Sequence, residues 1–325
     1  GSGAAIGAGL DVDEVFSTYV WDGAGGTQTI VNGVDLSEGG LVWAKQRDGS
    51  IKHVLSDSKR GTTKVLSSNA TDAESTESNG FTSFNSNGFS IGSWAGLNNN
   101  GDEYVSWTFR NAPNFFDVQK WGGNEVSGRQ ISHNLGSVPG VVIIKKRDTD
   151  TNYHRWFFWH RSLTSGKFLT LNTINAEDDD DGDFVYAGVF NTAPDANGIY
   201  IENQVNQNQY DYVAYFFAHN NSDGGFGPDS DQDIIKCGTY TGNGSSTGPE
   251  INLGFEPQWL MIKSKSDTGS WQIVDAIRGV ASFGNDKPLR ADSTNAESTA
   301  NYVRFMPTGF ALETTSTTYN GNNKT

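Results

Sequence analysis

The chain has 325 residues, a formal net charge of −15, 39 glycines, 12% aromatic residues and one cysteine, Cys237. So acidic a chain repels phosphate backbones and anionic lipid, which argues against nucleic acid or a membrane surface as partner. A single cysteine excludes an internal disulfide framework, and no window of about 18 apolar residues reads as a membrane span.

The opening, GSGAAIGAGL, lacks the basic start and sustained apolar core of a signal peptide and reads as a linker or internal start over 1–12. STYVWDG then predicts a short strand running into a turn. GGLVWAKQR (39–47) is a near-continuous apolar run, the pattern of a strand buried on both faces. HVLSDSKRG, NATDAES (69–75), NGFSIG and EYVSWTF follow. In the last of these, Tyr104, Ser106 and Thr108 face one way, and Val105, Trp107 and Phe109 the other.

The same phrases then return in the same order. PGVVIIKKR (139–147) and PQWLMIKSK (257–265) answer the first run, with Lys45, Lys145 and Lys263 in step. WQIVDAIRG matches HVLSDSKRG, pairing Asp57 with Asp275 and Arg60 with Arg278, while the middle copy carries His160. NTINAED (172–178) and DSTNAES (292–298) answer NATDAES, and DYVAYFF answers EYVSWTF. Five phrases in constant order point to tandem duplication of a unit of roughly 100–120 residues, a size suited to a self-contained domain. The expected division is 13–113, then 114–232 with a Gly/Asp/Ser-rich linker at 220–232, then 233–325. Short strands with frequent turn signals make each unit a β-sandwich of jelly-roll or concanavalin-like type, so the fold class is all-β. The tryptophans inside the runs, Trp43, Trp107, Trp159 and Trp259, read as core.

The third unit stops at TTYNGNNKT, where a Tyr-Val strand is expected next, and so lacks its closing strand. Truncation and a strand supplied by another subunit both explain this, and truncation is the plainer reading.

FSTYVWDGAGGTQTIVNGVDLSEGGLVWAKQRDG, ISHNLGSVPGVVIIKKR, KCGTYTGNGSSTGPEINLGFEPQWLMIKSK and EYVSWTFR together carry a resemblance. The chain, from about residue 13 to its end, resembles a repeated, uncharacterised domain of virion and tail-fibre-type proteins of marine bacteriophages, especially those of cyanobacteria. That resemblance implies a virion structural protein of a tail, fibre or other appendage, partnered by other virion proteins. By analogy with fibres it implies a homo-oligomer, a trimer being the common form. The divergent middle unit and the missing final strand depart from the pattern.

Signs of catalysis are few. No G-x-S-x-G, P-loop or H-E-x-x-H occurs, and the five histidines do not recur between units. EDDDDGDF offers Asp178, Asp179, Asp180, Asp181 and Asp183 as calcium ligands, but the spacing is not that of an EF-hand. A solvated acidic loop is the plainer reading, and no other cofactor is implied. The Asp57/Arg60 and Asp275/Arg278 pairs read as ion pairs that pin a turn. Trp94, Trp121 and Tyr319 lie in polar, loop-like stretches and are candidates for stacking on a host-surface glycan, with loop packing as the alternative. The expectation is a non-enzymatic virion module. Its rivals are a carbohydrate-active enzyme on a sandwich fold, a bacterial surface adhesin and a decoration or scaffold protein.

Overall fold

A computed structural model describes residues 9–149, 155–178, 189–280 and 285–325. In chain order the strands of the first segment are β1 (Phe16–Asp22), β2 (Gln28–Val31), β3 (Gly40–Gln46), β4 (Val54–Asp57), β5 (Lys64–Val65), β6 (Ser75–Thr76), β7 (Phe81–Asn85), β8 (Gly88–Ile91) and β9 (Glu103–Arg110). The second contains β10 (Phe116–Gly122), β11 (Arg129–Ser132), β12 (Val141–Lys146), β13 (Trp156–His160), β14 (Leu169–Thr170), β15 (Phe190–Thr192), β16 (Gly198–Ile201) and β17 (Asp211–Phe217). The third contains β18 (Glu250–Asn252), β19 (Trp259–Ile262), β20 (Gln272–Asp275), β21 (Leu289–Arg290), β22 (Val303–Met306) and β23 (Gly309–Leu312). The α-helices are single turns, α1 (Val12–Val15), α2 (Ala95–Asn98) and α3 (Thr317–Asn320). Among the described residues no helix is long and apolar enough to cross a membrane.

Each segment forms an inner and an outer antiparallel sheet. The inner sheets run β1-β9-β3-β4, β10-β17-β12-β13-β14 and β19-β20-β21, and the outer ones β2-β8-β7, β11-β16-β15 and β18-β23-β22. The third inner sheet has no counterpart of β1 or β9 among the described residues.

Alternation decides what each inner sheet covers. On β3 and β9, Leu41, Trp43, Val105, Trp107 and Phe109 join one apolar cluster; Val42, Ala44 and Tyr104 join another with Phe81, Phe89 and Ile91 of the outer sheet. The second segment repeats this with Val141, Ile143, Tyr215 and Phe217 on one side and Val142, Ile144, Tyr212 and Phe216 on the other. Burial on both faces explains why GLVWAKQ opens with an unbroken apolar run and is buried at every position.

The first of those clusters is common property. It holds Trp43 and Phe109 from the first segment, Trp156 and Phe217 from the second, and Trp271 and Ile273 from the third. Phe109 meets Phe217 at 5.2 Å and Trp259 at 5.8 Å, edge to face in both cases, and Phe158 meets Trp271 at 4.4 Å. The three segments therefore share a core, in contrast to the self-contained units that their length suggests. Each inner sheet needs a second cover, and the neighbouring segments are that cover. Trp43 and Trp107 lie in this core as expected, whereas Trp159 and Trp259 are only partly buried.

The stretch at 220–232 also departs from a loose linker. Asn220 accepts from the Ile234 and Ile235 amides and donates to the Asn114 carbonyl, and Phe226 is buried in the shared core.

A shared core makes unfolding a joint event. We predict one cooperative thermal transition for the whole chain by calorimetry. Residues 13–113 expressed alone should bind a hydrophobic dye and melt without cooperativity, because their half of the aromatic cluster then faces water.

Candidate functional site

The recurring phrases converge where segments meet. The loop after β5 holds Asn69, whose side-chain oxygen accepts from the His53 amide at 2.9 Å. Asn172 does the same for Trp156 at 3.0 Å, and Asp292 for Trp271 at 2.8 Å. These three ring-bearing residues then reach across to the neighbouring segment. Trp156 Nε1 donates to the Ser67 carbonyl (3.0 Å), Trp271 Nε1 to Thr170 (3.1 Å), and His53 Nε2 lies 2.9 Å from the Arg290 carbonyl.

A second set of contacts follows the same direction. The Glu74, Glu177 and Glu297 amides donate to the Arg147, Lys265 and Arg47 carbonyls at 2.8, 2.7 and 2.7 Å. Their carboxylates meet the same three residues. Arg147 grips Glu74 with two bonds (2.9 and 3.0 Å), Arg47 grips Glu297 likewise (3.1 and 2.8 Å), and Lys265 lies 3.9 Å from Glu177. The second segment thus docks on the first, the third on the second, and the first on the third, closing a ring of like contacts. Burial alone would raise the Glu74 carboxyl, but Arg147 and Arg60 outweigh it and hold the group below the usual carboxylate range.

The Asp/Arg pairs lie at the same junctions. Asp57 and Arg60 are fully buried; one Asp57 oxygen accepts from the Lys59 and Arg60 amides, and Arg60 also donates to the Leu55 and Lys64 carbonyls. The pair therefore pins its own turn. It also does something unreadable from one segment: Tyr215 of the second segment donates to Asp57 Oδ2 at 2.8 Å and accepts from Arg60 at 3.1 Å. Asp275 and Arg278 repeat the arrangement, with Trp107 Nε1 of the first segment donating to Asp275 Oδ2 at 3.0 Å. Burial opposes the Arg60 charge, yet Asp57 and its neighbours hold the guanidinium above its usual value. In the middle segment His160 stands at the Asp position and Leu163 at the Arg position, so both charges are gone together.

His53 occupies the place that tryptophan holds in the other segments. Trp43 Nε1 can only donate, so His53 Nδ1 accepts it (2.9 Å), which leaves the ring proton on Nε2 for the Arg290 carbonyl. The neutral ring satisfies both neighbours and the cation does not. Burial, with Lys45 nearby, pushes the imidazole down to about 3.

Sequence reading treated the matched lysines only as landmarks. Lys45 and Lys145 are buried, and Lys263 mostly so, each with its ammonium on backbone carbonyls: Gln46 and Gly49, Lys146 and Thr71, Ser264 and Asp267. Burial lowers all three to about 8. A lysine ending a fully apolar run was the available signal.

The glycan candidates scatter. Trp121 is 6% exposed, stacks on Tyr212 and donates Nε1 to the Val205 carbonyl at 2.9 Å, so it is a core residue. Tyr319 is 4% exposed with its hydroxyl on Gln272, which likewise removes it from the surface. Trp94 is half-buried against the outer sheet of the first segment, its ring over Gly96. Of the acidic run, Asp178 bridges to Phe168, while Asp179, Asp180, Asp181 and Asp183 lie outside the described residues. Among the described residues no group of three or more His, Cys, Asp or Glu side chains is placed to hold a metal ion.

A different surface emerges on the outer sheet of the second segment. Gln130, Ser132, His133, Asn134, Asn197 and Tyr200 line an open groove of about 650 Å³. Gln130 and Tyr200 are cross-strand partners in the β11–β16 register. Asp195 organises one wall: it accepts from the Asn197 and Gly198 amides and from the Tyr200 hydroxyl (2.9 Å), while its carbonyl lies 2.9 Å from His133 Nε2. The Asn197 amide and the Tyr200 hydroxyl keep that carboxyl below its ordinary value. The lining side chains are amides, a hydroxyl, the His133 imidazole and one phenol ring, a polar surface suited to a polyhydroxyl ligand.

Residues 11–325 match the model of a family described as a domain of unknown function (DUF7483), and the chain belongs to that family. No curated protein and no solved structure matches.

Two outcomes follow from this geometry. Arg278→Met strands Asp275 in a water-excluded site and should cost about 3–5 kcal/mol in urea unfolding. Tyr215→Phe, which removes one hydroxyl, should cost about 1–3 kcal/mol. For His53 the folded value of about 3 lies below the unfolded 6.5, so its stabilisation is complete above 6.5 and drains away as pH falls through that window. His53→Gln should flatten the loss of stability between about pH 6 and 4 by roughly 1 kcal/mol per pH unit, read from urea midpoints.

Proposed function

We propose that this member of the family is a non-enzymatic structural module of a bacteriophage virion, set in a tail fibre or other appendage. One observation carries the structural part of the reading: the recurring acidic residues and their arginine partners hold the segments to one another. Glu74, Arg147, Glu297, Arg47, Asp57 and Asp275 all face a neighbouring segment, and each is hydrogen-bonded there. An enzyme built by duplication would be expected to keep a recurring reactive group at a cleft instead. The likeness of the sequence to cyanophage-type virion proteins supports the virion part. Assembly with other virion proteins, as a homo-oligomer, belongs to the same proposal.

The polar groove favours a second role within the first, contact with host-surface glycan. Its neutral amides and hydroxyls suit sugar hydroxyls, and Tyr200 offers a ring face.

Mass spectrometry and antibody labelling of purified phage particles test the main reading, with the expected outcome that the protein copurifies with the tail. Reducing-sugar release from host polysaccharide would overturn the non-enzymatic assignment in favour of a carbohydrate-active enzyme. For the groove, Tyr200→Ala and Asn134→Ala should each weaken binding of host polysaccharide by about tenfold in calorimetric titration, equivalent to about 1.4 kcal/mol, with the melting temperature unchanged.

A further inference from the structure

The polar groove of the middle segment has a direction built into its hydrogen bonds. The Tyr200 hydroxyl gives its proton to Asp195 Oδ2 (2.9 Å), so toward a ligand its oxygen is left to accept. Asn134 turns its side-chain nitrogen to the Asp117 carboxylate (3.4 and 3.5 Å) and its backbone N–H to the same group (2.9 Å), which leaves its side-chain oxygen to accept as well. His133 is closed on both sides. Its Nδ1 accepts from the Leu135 amide (3.3 Å), so the ring proton sits on Nε2 and goes to the Asp195 carbonyl (2.9 Å). The polar atoms held in place by these bonds therefore present oxygen lone pairs. Gln130 and Ser132, at exposed positions of β11, keep donors of their own.

The charges agree with the hydrogen bonds. No lysine or arginine lines the groove among the described residues, and the charged groups that bear on His133 are the carboxylates of Asp117 and Asp195. Arg129 begins β11 at the far end from Ser132 and donates there to the Gly122 carbonyl and the Asn206 side chain. The arrangement is particular to this segment. At the register position of Tyr200 the first segment has Ser90 and the third Ala311, and opposite them stand Thr29 and Glu250 in place of Gln130.

We propose that the groove selects uncharged glycans and excludes those that carry carboxylate or sulfate groups. This selectivity rests on the groove being a glycan site, as proposed above. A sugar hydroxyl both donates and accepts, so it can give a proton to the Tyr200 or Asn134 oxygen and take one from Gln130 or Ser132. A uronate or sulfate ester brings acceptor oxygens alone. It would meet lone pair with lone pair beside two carboxylates, the repulsive element that turns a polar surface into a selective one.

The test is calorimetric titration of the whole chain with matched glycans: dextran and dextran sulfate, agarose and carrageenan oligosaccharides, mannan oligosaccharides and oligomannuronate. The uncharged member of a pair that binds should do so at least about tenfold tighter than its charged counterpart, and added salt should narrow the difference. Gln130→Lys places a cation beside Tyr200 and should raise affinity for the charged member about tenfold. Ser90→Lys adds the same charge at the matching position of the first segment and should leave that affinity low, which separates the field of the groove from the net charge of −15. Equal or tighter binding of the charged members overturns the selectivity and leaves the glycan site standing. Equal rescue by Ser90→Lys overturns it too, by assigning the exclusion to the chain as a whole. Failure of every glycan to bind overturns the glycan site itself, and the selectivity with it.

Discussion

Arg47 and Glu297 stand 250 positions apart, and their two-pronged contact joins the first segment to the third. Everything else in the architecture presumes that this junction closes. Drawing together chain ends that far apart costs on the order of 5 kcal/mol in conformational entropy beyond a constant, while a partly exposed ion pair returns about 1 kcal/mol or a little more. The arginine therefore aligns the junction and does not drive it. The drive comes from the aromatic surface beneath, where Phe109, Phe217, Trp259 and Trp271 would otherwise meet water. Burying one such side chain is worth about 1.5–3 kcal/mol, and several are contributed from each side.

The buried charges then select the arrangement. An Asp/Arg pair inside a shared core repays its desolvation only when every lone pair and N–H has a partner. For Asp57 and Arg60 the last partner is Tyr215, and for Asp275 it is Trp107, each from another segment. The Arg278 guanidinium also lies over the Trp107 ring, 5.4 Å from its centroid. A misdocked segment would leave a carboxylate unsatisfied, so the pairs reject wrong packings more than they stabilise the right one. The His160 and Leu163 of the middle segment fit this view: where, among the described residues, no tyrosine or tryptophan of a neighbouring segment donates to that position, carboxylate and guanidinium are both absent.

Much of this was legible in the residues. Unbroken apolar runs announced sheets covered on both faces, and the Asp-x-x-Arg spacing announced a pinned turn. Phrases in constant order suggested three self-contained units, whereas the stretches share one apolar cluster. The contacts that give those phrases their purpose were not legible, because their partners come from other segments: nothing near Asp57 points to Tyr215. Trp121 and Tyr319 misled for a related reason. They sit beside Gly and Asn and so resemble exposed loop residues, yet the chain folds those polar stretches back over them. Gly123 shows how closely: a Cβ there would lie 1.9 Å from the Gln207 carbonyl oxygen. The groove was missed because single amides and hydroxyls carry no spacing signature; only the β11–β16 register brings Gln130 beside Tyr200.

Making the ring from one polypeptide has a further effect. Three separate identical chains would have to alter every junction at once, whereas here one sector can change while the others stay fixed. The His160/Leu163 substitution and the groove beside Tyr200 both fall in the middle sector. The molecule therefore has a marked azimuth. A neighbour that reads that sector can seat in a single rotational setting, where a perfectly repeating ring would offer three indistinguishable ones.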